Sequence, residues 1–182
     1  MPAYLLLLAA LLSRVIPHSG WFGFTAVGGS LLYFGAKRSW REMILPVLTL
    51  AGVDYYLTVY AYSYEFVWQA YVVTWGWYAA AIVLGRILLA DSVSPLRVAA
   101  ATLLGPTSFF LVSNYSAWLE FNQPGGMYAP TFAGLLTCLI AGLPFYARDL
   151  VSTGLVLTLA FGVPATVRRF HESRSLASHQ TL

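Results

Sequence analysis

The chain has 182 residues, of which 59% are apolar and only 9% charged, and its mean hydropathy is +0.70. A soluble domain is about 45–50% apolar and about 25% charged, and a globule this small has too much surface to hide the surplus. With a net charge of +3, these figures exclude a soluble cytoplasmic protein, a disordered chain and a nucleic-acid binder, and leave an all-α protein of the lipid bilayer.

From the amino end, apolar runs bounded by helix breakers lie at about 3–17, 21–36, 43–62, 67–89, 98–118, 131–146 and 149–168. The first has no basic segment before it and no small-residue cleavage site, since Ser13-Arg14-Val15 comes next, so it reads as a retained helix and not a signal peptide. Pro17-His18-Ser19-Gly20 closes it, and Lys37-Arg38-Ser39-Trp40-Arg41-Glu42 closes the second. Tyr62-Ser63-Tyr64-Glu65 and Asp91-Ser92-Val93-Ser94-Pro95 separate the next three, and Asn122-Gln123-Pro124-Gly125-Gly126 is the strongest turn signal. Residues 1–168 read as a single transmembrane domain and 169–182 as a short polar cytoplasmic tail.

Charge decides how many of the seven runs cross. If Lys37, Arg38 and Arg41 are cytoplasmic, Arg97 follows, and Arg86 snorkels toward the same face. Seven crossings would put Arg168, Arg169 and Arg174 outside; six bring eight of the ten basic residues inside. The run that fails to cross is 131–143, only 13 residues before Pro144, a length typical of interfacial or re-entrant segments. The expected fold is therefore six transmembrane helices plus a short re-entrant or interfacial helix before the last one, with both termini cytoplasmic.

This topology gathers the polar residues in the outer half, among them Arg14, His18, Asp54, Glu65, Trp68, Asn114, Trp118, Glu120, Arg148 and Asp149. Ionisable groups are costly in lipid and turn toward a partner or a cavity. Arg14 and Asp54 each lie about 11 residues into their helices, at one depth, and form a natural ion pair. Such a pair is either a structural clamp or a ligand contact. Arg148 and Asp149 follow Leu143-Pro144-Phe145-Tyr146, as an interfacial loop or as a break that offers Arg148 to a cavity. Asn114 and Trp118, four apart, share one helix face; either can line a cavity, and Trp118 equally suits an aromatic belt.

Elsewhere the plainer readings hold. Trp68, Tyr71, Trp75, Trp77 and Tyr78 read as packing and lipid anchoring. Gly28-Gly29 allows close helix approach and is no phosphate loop, as no Lys-Ser/Thr follows. The single Cys138 excludes an internal disulfide, and His171 and His179 lie too far from other ligands for a metal site. No Gly-x-Ser-x-Gly or His-Glu-x-x-His occurs, so no enzyme, cofactor or metal is expected.

Arg14-Val15-Ile16-Pro17-His18, a glycine-bearing second helix, Asp54, Leu84-Gly85-Arg86, Ser113-Asn114-Tyr115-Ser116-Ala117-Trp118-Leu119, Tyr128-Ala129-Pro130-Thr131-Phe132-Ala133-Gly134-Leu135-Leu136 and Leu143-Pro144-Phe145 follow one another in order. The set, over about residues 5–168, resembles an uncharacterised family of bacterial integral membrane proteins. More distantly the chain is similar to the substrate-binding S components of energy-coupling-factor (ECF) vitamin transporters, whose Leu-Pro-Phe-Asn motif corresponds to Leu143-Pro144-Phe145-Tyr146.

That resemblance implies an S-component-like bundle with an outward-facing pocket, in a bacterial inner membrane, that captures a small vitamin-like substrate. It implies a transmembrane coupling protein and ATPase subunits as partners, which fits the lack of a Walker motif here. The residues expected to line or support the pocket are Arg148, Asn114, Trp118, Asp54 and Arg14, and a planar ligand with some negative charge would suit aromatic walls and Arg. The competing expectation is a non-catalytic structural or assembly subunit of a larger membrane complex.

Overall fold

Breakers set the helix ends in a computed structural model that describes residues 1–16, 25–123 and 125–167. The helices are α1 (Pro2–Val15), α2 (Val27–Lys37), α3 (Ile44–Tyr56), α4 (Val72–Leu89), α5 (Pro95–Phe121) and α6 (Phe132–Leu157), with no strand among the described residues. The turn residues act as caps: Ser94 Oγ accepts from the Arg97 N–H at 3.3 Å and Thr131 Oγ1 from the Gly134 N–H at 3.2 Å. Single 3₁₀ turns, Trp40–Glu42 and Trp68–Tyr71, lead into α3 and α4, and π-helical turns prolong α3 through Leu57–Ala61 and α6 through Thr158–Gly162.

With these turns included, Trp40–Ala61, Trp68–Leu89, Pro95–Phe121 and Phe132–Val167 are long and apolar enough to cross a membrane. At 1.5 Å per residue the two 22-residue spans measure about 33 Å, close to the hydrocarbon thickness. The chain is a multi-pass membrane protein, and its outer surface agrees: Leu5, Leu48, Ile87, Leu103, Ile140 and Leu159 all stand exposed, as lipid-facing side chains do.

Two expectations are overturned. The runs 131–146 and 149–168 are one continuous 36-residue helix, Phe132–Val167, so there is no re-entrant segment and no hinge at Arg148. Pro144 sits inside α6. Proline removes one N–H from the ladder, but in a membrane neighbouring helices and local turn adjustments absorb that loss, and a helix need not stop. Nor do the described residues hold six long crossings. Of the six helices, α1 has 14 residues and α2 has 11, about 21 and 16 Å, short of the bilayer core. The polar tail 169–182, with Arg174, His171 and His179, lies outside the described residues, as do Arg168, Arg169, Pro17, His18 and Pro124.

The short α2 is the centre of the bundle, buried from Val27 to Ala36 and packed chiefly on α4, α6 and α1. Without a hydrophobic drive between helices in lipid, close backbone approach has to hold them together, and small residues permit it. A Cβ on Gly35 would lie 1.9 Å from the Ile82 carbonyl oxygen, and one on Gly85 would lie 2.0 Å from that of Leu32. Each glycine of this α2–α4 crossing thus admits the other helix's backbone. Gly29 makes room for α6, since a Cβ there would lie 2.6 Å from the Val156 side chain and 3.2 Å from the Thr153 carbonyl oxygen.

α1 and α2 run antiparallel: Ser30 Oγ donates to the Leu6 carbonyl at 3.0 Å, and the Ala26 N–H donates to Ser13 Oγ at 3.1 Å. One end of the bundle carries Lys37, Arg38, Arg41, Arg86 and Arg97. There Tyr4 meets Arg38 and Glu42, and Phe161 meets Tyr33 and Lys37, so both described ends of the chain approach this basic end.

Candidate functional site

In the half of the bundle away from the basic end, α1, α2, α3, α4, α5 and α6 surround a cavity of about 420 Å³. Its size falls within the range of small-molecule pockets. Gly28 at the start of α2 borders it, as does Pro106 inside α5. Trp77, Phe109, Phe110, Phe145 and Tyr146 make the walls. Trp77 and Phe109 pack with ring centroids 4.5 Å apart, and Phe110 and Tyr146 at 4.9 Å. Hydrogen bonds fix two of these rings: Trp77 Nε1 donates to Ser108 Oγ at 3.2 Å, and the Tyr146 hydroxyl pairs with Thr107 Oγ1 at 2.9 Å.

Three charged side chains line the cavity: Arg14 from α1, Asp54 from α3 and Asp149 from α6. Arg14 Nη2 lies 2.6 Å from Asp54 Oδ1, which makes the ion pair that equal depth predicted. Arg14 Nη1 donates to the Tyr78 hydroxyl, and Asp54 Oδ2 accepts from Trp75 Nε1 at 3.0 Å and from Tyr78 at 3.5 Å. The Asp54 side chain is 1% exposed and that of Arg14 24%. Buried charge of this kind persists only when paired and hydrogen-bonded, and here four side chains from three helices meet that condition together.

The five residues singled out by sequence therefore separate. Arg14 and Asp54 border the cavity; Asn114, Trp118 and Arg148 do not. Asn114 is held where α5 crosses α6: its Nδ2 donates to the Phe110 carbonyl at 2.8 Å, and Cys138 Sγ sits 3.3 Å from its backbone oxygen. Trp118 Nε1 donates to the Ala129 carbonyl at 3.0 Å and ties the α5–α6 connection back onto α5. Because α6 is unbroken, Arg148 is turned about 100° from Asp149, and only the acid shares the inward face of Phe145 and Tyr146.

What the sequence reading passed over is one face of α4 and of the turn that leads into it. Tyr71, Trp75 and Tyr78 are spaced four and three apart, the period of one helix face, and all three carry polar handles. Tyr71 pairs with Thr58 Oγ1, and Trp75 and Tyr78 bind Asp54. That period was the available signal; hydropathy alone does not distinguish an anchoring indole from one that donates to a carboxylate.

Residues 1–176 match a family of unknown function, DUF6580. The chain belongs to that family. The match covers the bundle and the cavity of this DUF6580 protein together. No curated protein and no solved structure matches the chain.

Proposed function

We propose that this chain is a membrane-embedded substrate-binding subunit for the uptake of a small molecule. The observation that carries the reading is the 420 Å³ cavity, with its fixed aromatic walls and its charged cluster, inside a bundle drawn together by glycine-mediated contacts. The basic end is cytoplasmic by the positive-inside rule, so both termini face the cytoplasm of a bacterial inner membrane and the cavity lies in the outer half. An outer-half pocket is what the similarity to ECF S components implies. The energy then comes from other chains, a transmembrane coupling protein and ATPase subunits, since the sequence holds no phosphate-binding loop of its own.

Native mass spectrometry of the gently extracted protein tests this. We expect a stoichiometric small-molecule adduct on the wild type, lost when Thr74→Trp fills the cavity from α4. Bare protein, or protein carrying only lipid and a co-purified polypeptide, would sink the uptake reading in favour of an assembly subunit.

A further inference from the structure

The charge balance of the cavity is opposite to what an anionic ligand needs. Arg14 places one terminal nitrogen on Asp54, which balances its charge, and the other on the Tyr78 hydroxyl. Asp54 in turn holds Arg14, Trp75 and Tyr78, so that cluster carries one positive and one negative charge and is electrically closed. Asp149 is left over. Among the described residues its carboxylate receives a single long hydrogen bond, 3.5 Å from Thr153 one turn along the same helix, and it has no salt-bridge partner.

Among the described residues, what compensates the acid is the start of α2. A Cβ at Gly28 would lie 3.4 Å from Asp149 Oδ1 and 2.7 Å from Thr153 Oγ1, so the missing side chain brings the helix terminus against the acid. A helix amino terminus carries only about half a positive charge. The described cavity is thus net negative, and the rings of Trp77, Phe109, Phe110 and Tyr146 face the same space. Aromatic faces attract cations. An anion would instead meet a carboxylate with no full counter-charge among the described residues, in a place where charge is weakly screened.

We infer that the cavity takes a flat-ringed molecule bearing a protonated nitrogen, with the nitrogen paired to Asp149 and the ring against the aromatic walls. This rests on the uptake reading and names the chemical class of its substrate. It replaces the negatively charged ligand that a free Arg would have favoured.

Tryptamine and indole-3-propionate serve as probes, because they share a ring and differ in the sign of their charge. Each is titrated into the full-length protein in zwitterionic nanodiscs at pH 7, with empty nanodiscs subtracted. We expect tryptamine to bind at least about tenfold more tightly, and Asp149→Asn to bring the two within about threefold of each other, whereas Thr153→Val, which keeps the carboxylate, retains the preference. Equal or reversed affinities on the wild type overturn the inference even if Asp149→Asn does not fold, and so does an amine preference that survives in Asp149→Asn. If neither probe binds while native mass spectrometry shows an adduct, the amine class fails and the uptake reading stands. If neither probe binds and no adduct is found, both fall.

Discussion

The protein builds the same trio twice, an arginine, a carboxylate and a tyrosine hydroxyl, in two environments. At the basic end Arg38 Nε donates to Glu42 Oε2 at 2.8 Å, and Arg38 Nη2 donates to the Tyr4 hydroxyl at 3.0 Å, with Tyr4 also bonded to Glu42. Beside the cavity Arg14, Asp54 and Tyr78 repeat the pattern. The first ion pair is local, four residues apart, with side chains 32% and 27% exposed. The second pair links α1 to α3, Tyr78 adds α4, and the carboxylate is 1% exposed. One set of functional groups therefore serves as a solvated latch in one place and as a buried junction in the other, and the medium around it decides its energetic weight.

Breaking the buried trio should have the largest effect. Asp54→Asn keeps an acceptor for Trp75 but leaves Arg14 without its counter-charge; removing one partner of a buried pair costs about 3–5 kcal/mol, and the partial exposure of Arg14 places this case near the lower bound. Replacing both partners with neutral amides, Arg14→Gln with Asp54→Asn, should cost less than Asp54→Asn alone, because no orphaned charge remains and position 54 still offers an acceptor to Trp75 and Tyr78. Reversible unfolding in mixed micelles reads both. A double variant weaker than the single one would mean the pair acts as more than a clamp on the fold.

Tyr78→Phe comes next. It removes a hydroxyl that accepts from Arg14 and donates to Asp54 while keeping a buried ring. A buried donor left unsatisfied costs about 1–3 kcal/mol, and the same unfolding assay should find a loss in that range. The matching deletion at the other end, Tyr4→Phe, keeps the edge-on contact with Phe34 at 5.6 Å and should cost less, since water can replace the lost hydroxyl.

The difference between the two trios also explains what could be read from the sequence. The run expected at 67–89 is realised as Trp68–Leu89, and that at 43–62 as Trp40–Ala61, because apolar length and breakers govern the spans whatever surrounds them. Equal depth was enough to pair Arg14 with Asp54, since a buried charge has few alternatives. Pro144 misled, because its effect depends on neighbours that a linear reading does not contain; reading the chain as broken there exchanged the roles of Arg148 and Asp149. The central position of α2 was equally hidden. The glycine pair 28–29 signals close approach, but only the folded bundle shows that Gly35 and Gly85 seat two helices on each other's carbonyls.

Glu42→Gln should have the smallest effect, and it isolates charge better than any other change at the basic end. Glu42 Oε1 accepts from the Ser39 hydroxyl at 2.7 Å and from the Ser39 N–H at 3.3 Å, a capping-box arrangement that glutamine also supports. Arg38 is supported by more than this one acid: its guanidinium lies 4.7 Å from the centre of the Tyr4 ring, and its carbonyl accepts from Arg86 Nη1 at 2.9 Å. The substitution therefore removes one screened ion pair and leaves the turn intact. The stability change should be a small fraction of that for Asp54→Asn and should vanish in about 1 M salt, where screening reaches about 3 Å, whereas the Asp54→Asn loss should persist. A Glu42→Gln loss as large as that of Asp54→Asn, and insensitive to salt, would mean that the basic end is sealed from water as tightly as the cavity junction.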